Sequence, residues 1–299
     1  MSVRGKSINL YLMDGNPSGR MKCTLANWTG IAYKIPRTEL EKCKRREDLS
    51  QSGVYFLFGT SDETGDNVVY IGQAGVRKSG SGILYRLQEH KRSLEKDYWT
   101  EAVVFTTSNN SFGPTEISYL ENRFTSLARK ANRYVIKNSN DPTPGNITEE
   151  KESELEEFID NAKIVMGTLG HKVFEPLTEF KQLMEPEQKT SHGDGDLLLY
   201  IRRKSRKGGE AIEATCRQTV EGFVVLEGSK IDPNETDSTP PGIKEIRHKV
   251  RGDGYILKED ILFKSPSYAA SFVLGRNANG LIEWKTADGK VLRDVESEK

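Results

Sequence analysis

The sequence predicts an α+β fold in two parts, and three observations carry that expectation. The first is a pair of apolar, aromatic and β-branched runs, Gly53-Val54-Tyr55-Phe56-Leu57-Phe58 and Val68-Val69-Tyr70-Ile71-Gly72. Between them, residues 60–67 hold Gly65 and three acids, so the pair reads as a hairpin with a long loop. The second is helical periodicity over Thr115 to Ala131, where Ile117, Leu120, Phe124, Leu127, Ala128 and Ala131 share one face. The third is a Pro/Gly/Asp-rich break from Glu185 to Gly195, after which strand patterning resumes. A chain of 299 residues is long enough for two domains, each with its own core. The expected division is an N-terminal β unit and basic helix over 1–48, and a central domain with a trailing acidic helix over 49–184. A linker over 185–195 and a second small α+β domain over 196–299 complete it.

Charge is high but balanced, 44 Lys and Arg against 44 Asp and Glu. Its distribution is uneven. Residues 1–49 hold ten basic and five acidic side chains, and residues 141–190 hold five and twelve. A basic front and an acidic middle suit a protein that meets a polyanion with part of its surface, and also suit ordinary surface variation. Cys23, Cys43 and Cys216 form no CxxC pair, which speaks against a disulfide framework or a zinc site. The start, Met1-Ser2-Val3-Arg4-Gly5-Lys6, lacks the apolar run of a signal peptide, and no stretch reaches membrane-spanning length. The expectation is a soluble, cytoplasmic protein without a membrane partner.

Taken in order, Ser7 to Leu12 alternates into the turn signal Asp14-Gly15, and Met21 to Trp28 reads as the returning strand. Pro36 opens a helix ending in Lys42-Cys43-Lys44-Arg45-Arg46, a charge the helix dipole favours and a phosphate would also meet. After the hairpin, Gln73 to Gly82 forms a Gly/Ser-rich loop carrying Arg77 and Lys78, which reads as a backbone-tracking nucleic-acid contact or as a solvated loop. Ile83 to His90 reads as a helix, with Arg86 and His90 four apart on one face. A third strand follows at Ala102 to Phe105. On the Thr115 helix, Glu121 and Glu116 lie at opposite edges of the apolar face, and periodicity does not choose between them. Thr148 opens an acid-rich helix whose Leu155, Phe158, Ile159, Ala162, Val165 and Met166 should pack back on the hairpin domain. Beyond the linker, Leu197 to Ile201 and Gly222 to Leu226 read as strands. Tyr268 to Leu274 reads as a helix stopped by Gly275, and 279–284 with 288–292 as a closing hairpin. The run Arg202 to Lys207 is either a nucleic-acid contact or a solvated turn.

The phrases Gly53-Val54-Tyr55 and Tyr70-Ile71-Gly72 resemble the signature of the GIY-YIG nuclease family, with Val54 where the family name has Ile. Arg86 and His90 on the next helix, and Glu121 on the one after, follow in the family's order. The resemblance implies a three-stranded antiparallel sheet flanked by helices. It also implies a metal-dependent endonuclease acting on DNA, in repair, restriction or defence, or mobile-element biology. Glu121 would be its ligand for Mg²⁺ or Mn²⁺, and an Asn beyond the helix, Asn132 or Asn138, would contact nucleic acid. Family members often carry Lys after the second motif's Gly, where this chain has Gln73. The phrase Phe272 to Gly280 looks like a small C-terminal domain of uncharacterised function found behind such modules, a possible site for a protein partner.

The residue types suit the chemistry. Phosphodiester hydrolysis needs an activated water, charge relief on the phosphoryl oxygens and help for the leaving oxygen. Mg²⁺ keeps most of its waters, so one carboxylate plus substrate phosphate is enough to hold it. Arg86 offers a planar, permanently charged fork to phosphate, and Tyr55 and Tyr70 offer hydroxyls to water or phosphate. A phenol titrating near 10 is a poor base unassisted, so His90 is the alternative base. Taken singly, these residues also fit packed aromatics and solvated helix faces. The competing function is a non-catalytic nucleic-acid-binding or protein-interaction module built on the same fold.

Overall fold

The computed structural model describes residues 5–76, 82–93, 96–138, 142–177, 197–205, 211–250 and 254–297. Arg77 and Lys78, the expected linker at 185–195, and Arg206 and Lys207 lie outside them. The chain is α+β and divides into two compact units, Met1–Pro176 and Leu177–Lys299.

Seven strands make the sheet of the first unit: β1 (Ile8–Leu12), β2 (Met21–Leu25), β3 (Gly30–Pro36), β4 (Gly53–Thr60), β5 (Asn67–Ala74), β6 (Trp99–Thr107) and β7 (Val135–Ile136). Their order is β1-β2-β3-β6-β4-β5-β7, antiparallel throughout except for the short parallel pairing of β7 on β5. The expected hairpin is β4–β5, in register from Gly53 opposite Ala74 to Thr60 opposite Asn67. The expected sheet of three strands corresponds to the central β6-β4-β5, and the full sheet is larger. The strands of residues 1–48 add to it by pairing β3 with β6. β3 carries no alternation because Gly30 to Tyr33 and Ile35 are all buried, as a strand covered on both faces requires. The helix expected from Pro36 to Arg46 is a single stretch of 3-10 helix, Arg37–Cys43.

Three helices pack on this sheet: α1 (Ile83–Arg92), α2 (Pro114–Ala131) and α3 (Glu149–Thr168). Side chains alternate across a strand, so each face has its own core. On one face Val54, Phe56, Phe58, Val103 and Phe105 meet α2 and α3 through Leu120, Phe124, Phe158 and Met166. The apolar stripes read in α2 and α3 are the buried ones. On the other face Tyr55, Leu57, Ala102 and Val104 meet Ile83, Leu84 and Leu87 of α1, with Leu40, Cys43 and Leu49.

The second unit is a four-stranded antiparallel sheet in the order β11-β10-β9-β8, with β8 (Leu197–Lys204), β9 (Ala211–Thr219), β10 (Gly222–Val225) and β11 (Ile261–Phe263). Its helices are α4 (Pro241–Val250), α5 (Pro266–Leu274), α6 (Gly280–Glu283) and α7 (Leu292–Ser297). Ser265 caps α5 by accepting from the Tyr268 N–H, and Gly275 ends it at φ 59°, as its sequence predicts. Of the closing hairpin expected at 279–292 only a short turn forms, with the Leu292 N–H donating to the Trp284 carbonyl at 3.0 Å and the Thr286 N–H to the Lys290 carbonyl at 2.9 Å. Its first half is helical: Asn279 accepts from the Leu281 N–H and caps α6, and the antiparallel bridge falls at Lys285 and Val291. Among the described residues, no helix is long and apolar enough to cross a membrane.

Phe56 is fully buried and meets Phe105, Phe124 and Phe174 edge-on. Phe56→Ala should therefore destabilise the first unit by about 3–5 kcal/mol in urea denaturation. A loss below about 1 kcal/mol would mean that this face of the sheet is not the tight core described.

Candidate active site

Tyr55 stands directly opposite Gly72 in the β4–β5 ladder. The pairing leaves no room for a side chain: a Cβ on Gly72 would lie 2.4 Å from the Tyr55 hydroxyl and 2.9 Å from Tyr70 Cε1. The two tyrosine rings therefore share one side of β5, with centroids 6.2 Å apart. α1 lies on this face and buries His90 along with its apolar residues. The Tyr55 hydroxyl and His90 Nε2 are hydrogen-bonded at 2.7 Å, the donor depending on the His90 tautomer. Arg86, one turn earlier, bears on the Tyr55 hydroxyl and pairs with Glu89 at 2.7 Å. The Lys96 ammonium lies 3.2 Å over the centre of the Tyr70 ring.

Glu121 arrives from the opposite face. Gln73, beside Gly72 but pointing to the α2 side, donates to Glu121 Oε2 at 2.9 Å and to Ser118 Oγ at 3.1 Å. The two faces meet here because β7 pairs with β5 only at Val68 and Val69. Asn138 then closes the ladder, donating to the Ile71 carbonyl at 2.7 Å and accepting from its N–H at 3.0 Å. Among the described residues no strand pairs with this edge of β5 beyond that point, while β4 continues on the other edge to Ala74. Arg86 and Lys96 both act on the Glu121 carboxyl, and Glu121 acts on both tyrosines. A cleft of about 220 Å³, lined by residues including Gln73, Gly82, Tyr85, Arg86 and Glu89, opens beside this group.

Burial sets the protonation states. It pushes the Tyr55 phenol well above its usual range, and it raises Tyr70 with help from Glu121. It pushes His90 down to about 3, with Lys96 and Arg86 adding to the effect, so the imidazole is neutral at neutral pH. Burial also raises the Glu121 carboxyl, against the pull of Gln73, Arg86 and Lys96. Among the described residues no three His, Cys, Asp or Glu side chains converge on a metal position. A half-buried carboxylate with phenol oxygens nearby is nonetheless a hard-oxygen donor set, and it fits a cation that keeps most of its waters.

The structure thus brings Tyr55, Tyr70, Arg86, His90 and Glu121 together. Glu116 is elsewhere, its carboxylate accepting from the Gly113 N–H at the start of α2. Asn132 ends α2 in the left-handed conformation, at φ 49°. Eleven residues of helix rise put it roughly 16 Å along the axis from Glu121. Sequence reasoning gave Gln73 and Lys96 no part in the site. Gln73 stood out only as a departure from the family's Lys, and Lys96 sits in a connection with no pattern to mark it.

Residues 205–296 match a family model described as "Domain of unknown function (DUF4357)". The match includes Phe272 to Gly280 and bears out the expected C-terminal domain of uncharacterised function; it does not reach the first unit. No curated protein and no solved structure matches the chain.

The buried His90 also makes stability pH-dependent. Below its ordinary value of 6.5 the unfolded imidazole takes up a proton that the native one refuses until about 3, so native stability falls as pH drops through that window. His90→Gln removes the proton uptake. Its melting temperature should fall less steeply than wild type between pH 6.5 and pH 3. Parallel curves would show that His90 is accessible and titrates normally.

Proposed function

We propose that the first unit is a metal-dependent endonuclease of the GIY-YIG type, hydrolysing DNA phosphodiester bonds. The convergence of Tyr55, Tyr70, Arg86 and Glu121 around the 2.7 Å contact between Tyr55 and His90 supports this reading most strongly. The five residues come from four elements, and they meet at the open end of β5.

Each has a role that its surroundings favour. Arg86 binds the scissile phosphate, exchanging its partly exposed ion pair with Glu89 for a charge-assisted fork to phosphoryl oxygen. His90 is neutral and buried, and its hydrogen bond to the Tyr55 hydroxyl positions that oxygen and does not carry a proton away. In this reading Tyr55, held by His90, orients the attacking water. Tyr70, the more exposed of the two phenols, presents its hydroxyl to the phosphate. Glu121 would hold Mg²⁺ or Mn²⁺, which supplies charge relief to the phosphoryl and leaving oxygens. Asn138 suits the family's Asn better than Asn132, because it fixes the backbone of Ile71 between Tyr70 and Gly72. In the second unit Arg203 pairs with Glu283 and Arg202 lies over the Tyr200 ring, so this part of the basic run is engaged within its own unit. Three buried, unpaired cysteines suit a reducing compartment such as the cytoplasm.

The test is cleavage of plasmid and branched DNA by the purified chain with Mg²⁺ or Mn²⁺, with chelator as the blank. Glu121→Gln should lower the rate by roughly 10²-fold or more, and Arg86→Lys by a similar factor, since Lys keeps charge but loses the fork. Glu116→Gln should cut at close to the wild-type rate, because Gln keeps an acceptor for the Gly113 N–H. Cleavage by Glu121→Gln at the wild-type rate would end the single-carboxylate reading.

A further inference from the structure

Among the described residues Gln73 alone hydrogen-bonds the Glu121 carboxylate, its amide nitrogen donating to Oε2 at 2.9 Å. The same amide meets the Ser118 hydroxyl, which lies 3.1 Å from the amide nitrogen and 3.2 Å from the amide oxygen. Ser118 and Glu121 are three residues apart on α2, so they are neighbours on one helix face and one amide spans both. A hydroxyl serves either end of an amide, whereas a carboxylate only accepts. Glu121 therefore fixes which end of the Gln73 amide faces it, and Ser118 fastens that amide from the side.

The stem of this link is as firmly placed as its head. Gln73 stands opposite Val54 in the β4–β5 ladder. Two residues back, Asn138 holds both backbone groups of Ile71. Gln73 also lines the cleft of about 220 Å³ beside the site. With one amide hydrogen on Glu121 and the other on Ser118, it has none left for a bound phosphate and acts there through Glu121.

The link leaves the carboxylate half used, since no described residue hydrogen-bonds Oε1. The amide is neutral, so it holds Oε2 without cancelling the negative charge that a hard divalent cation needs. Hydrogen bonds made to a carboxylate from behind are what orient it toward a metal.

We infer that Gln73, fastened by Ser118, positions Glu121 for a divalent cation, holding Oε2 and leaving Oε1 as the oxygen available to it. The inference rests on the metal-dependent part of the nuclease reading and not on DNA as the substrate.

The experiment titrates the full chain, without DNA, into Mn²⁺ and follows the free ion by electron paramagnetic resonance. Wild type should take up Mn²⁺ at a site that Glu121→Gln removes. Gln73→Met keeps the length of the side chain and loses the amide, and it should weaken Mn²⁺ binding by roughly 10-fold or more. Ser118→Ala should weaken binding too, and Ser118→Thr, which keeps the hydroxyl, should recover most of that loss. Thermal melting of each metal-free variant checks the fold, and if Gln73→Met does not fold, the two Ser118 variants decide. Gln73→Met binding Mn²⁺ as tightly as wild type, whatever its melting temperature, would overturn the assignment. So would a wild type with no Mn²⁺ site that depends on Glu121. Cleavage assays with DNA separate the two readings. Mn²⁺ binding that depends on Gln73 in a chain that cuts no DNA would end the nuclease reading and leave the positioning role standing. Metal-dependent cleavage whose Mn²⁺ requirement is unchanged in Gln73→Met would keep the nuclease and end the positioning role.

Discussion

A tyrosine ring laid across a glycine on the neighbouring strand governs the geometry of the first unit. Tyr55 occupies the space that a side chain at position 72 would need, so the β4–β5 register and the placement of Tyr55 are one constraint. From there the hydroxyl reaches His90, and α1 must lie where Ile83, Leu84 and Leu87 pack and His90 meets that hydroxyl. Arg86 follows because it is one turn from His90 on the same helix.

A buried polar group on one sheet face needs a rigid frame, and the other face supplies it. Phe56, Phe105, Phe124 and Phe174 contact one another edge-on or stacked, an arrangement aromatic quadrupoles favour. That core binds α2 to the sheet and so fixes where Glu121 emerges. Gln73 then spans the last gap as the hydrogen-bond link between β5 and α2. The carboxyl and imidazole sit in an environment that penalises charge on both, and the cations beside them push the two in opposite directions. Arg86 and Lys96 help Glu121 to ionise and help His90 to stay neutral. The same pair of positive charges thus favours a carboxylate at Glu121 and a neutral imidazole at His90.

Much of this was legible in the sequence, and the reasons differ by element. The β4–β5 runs and the stripes of α2 and α3 are strongly periodic, and their burial follows the pattern. Arg86 and His90 could be placed on one face by spacing alone. The sheet's full width could not be read, because β3 is buried on both faces and shows no alternation. Asn279-Gly280 is a turn signal in isolation, yet Asn is also a helix cap, and tertiary packing around the buried Trp284 accompanies the second outcome. Periodicity could not separate Glu121 from Glu116, which sit symmetrically about the apolar stripe; the resemblance alone favoured Glu121, and their hydrogen bonds lie apart, with Gln73 and with the Gly113 N–H. Lys96 was invisible for a simpler reason. Its backbone carbonyl is held by Arg37, and the sequence carries no signal linking the two.

The central claim is that five residues from both sheet faces make one phosphate site at the open end of β5. A crystal structure of the Glu121→Gln chain bound to a short DNA duplex tests it most directly. A backbone phosphate should lie within hydrogen-bonding distance of Arg86, with the Tyr55 and Tyr70 hydroxyls facing it. DNA bound along the α2–α3 face, or held by the second unit alone, would contradict the account.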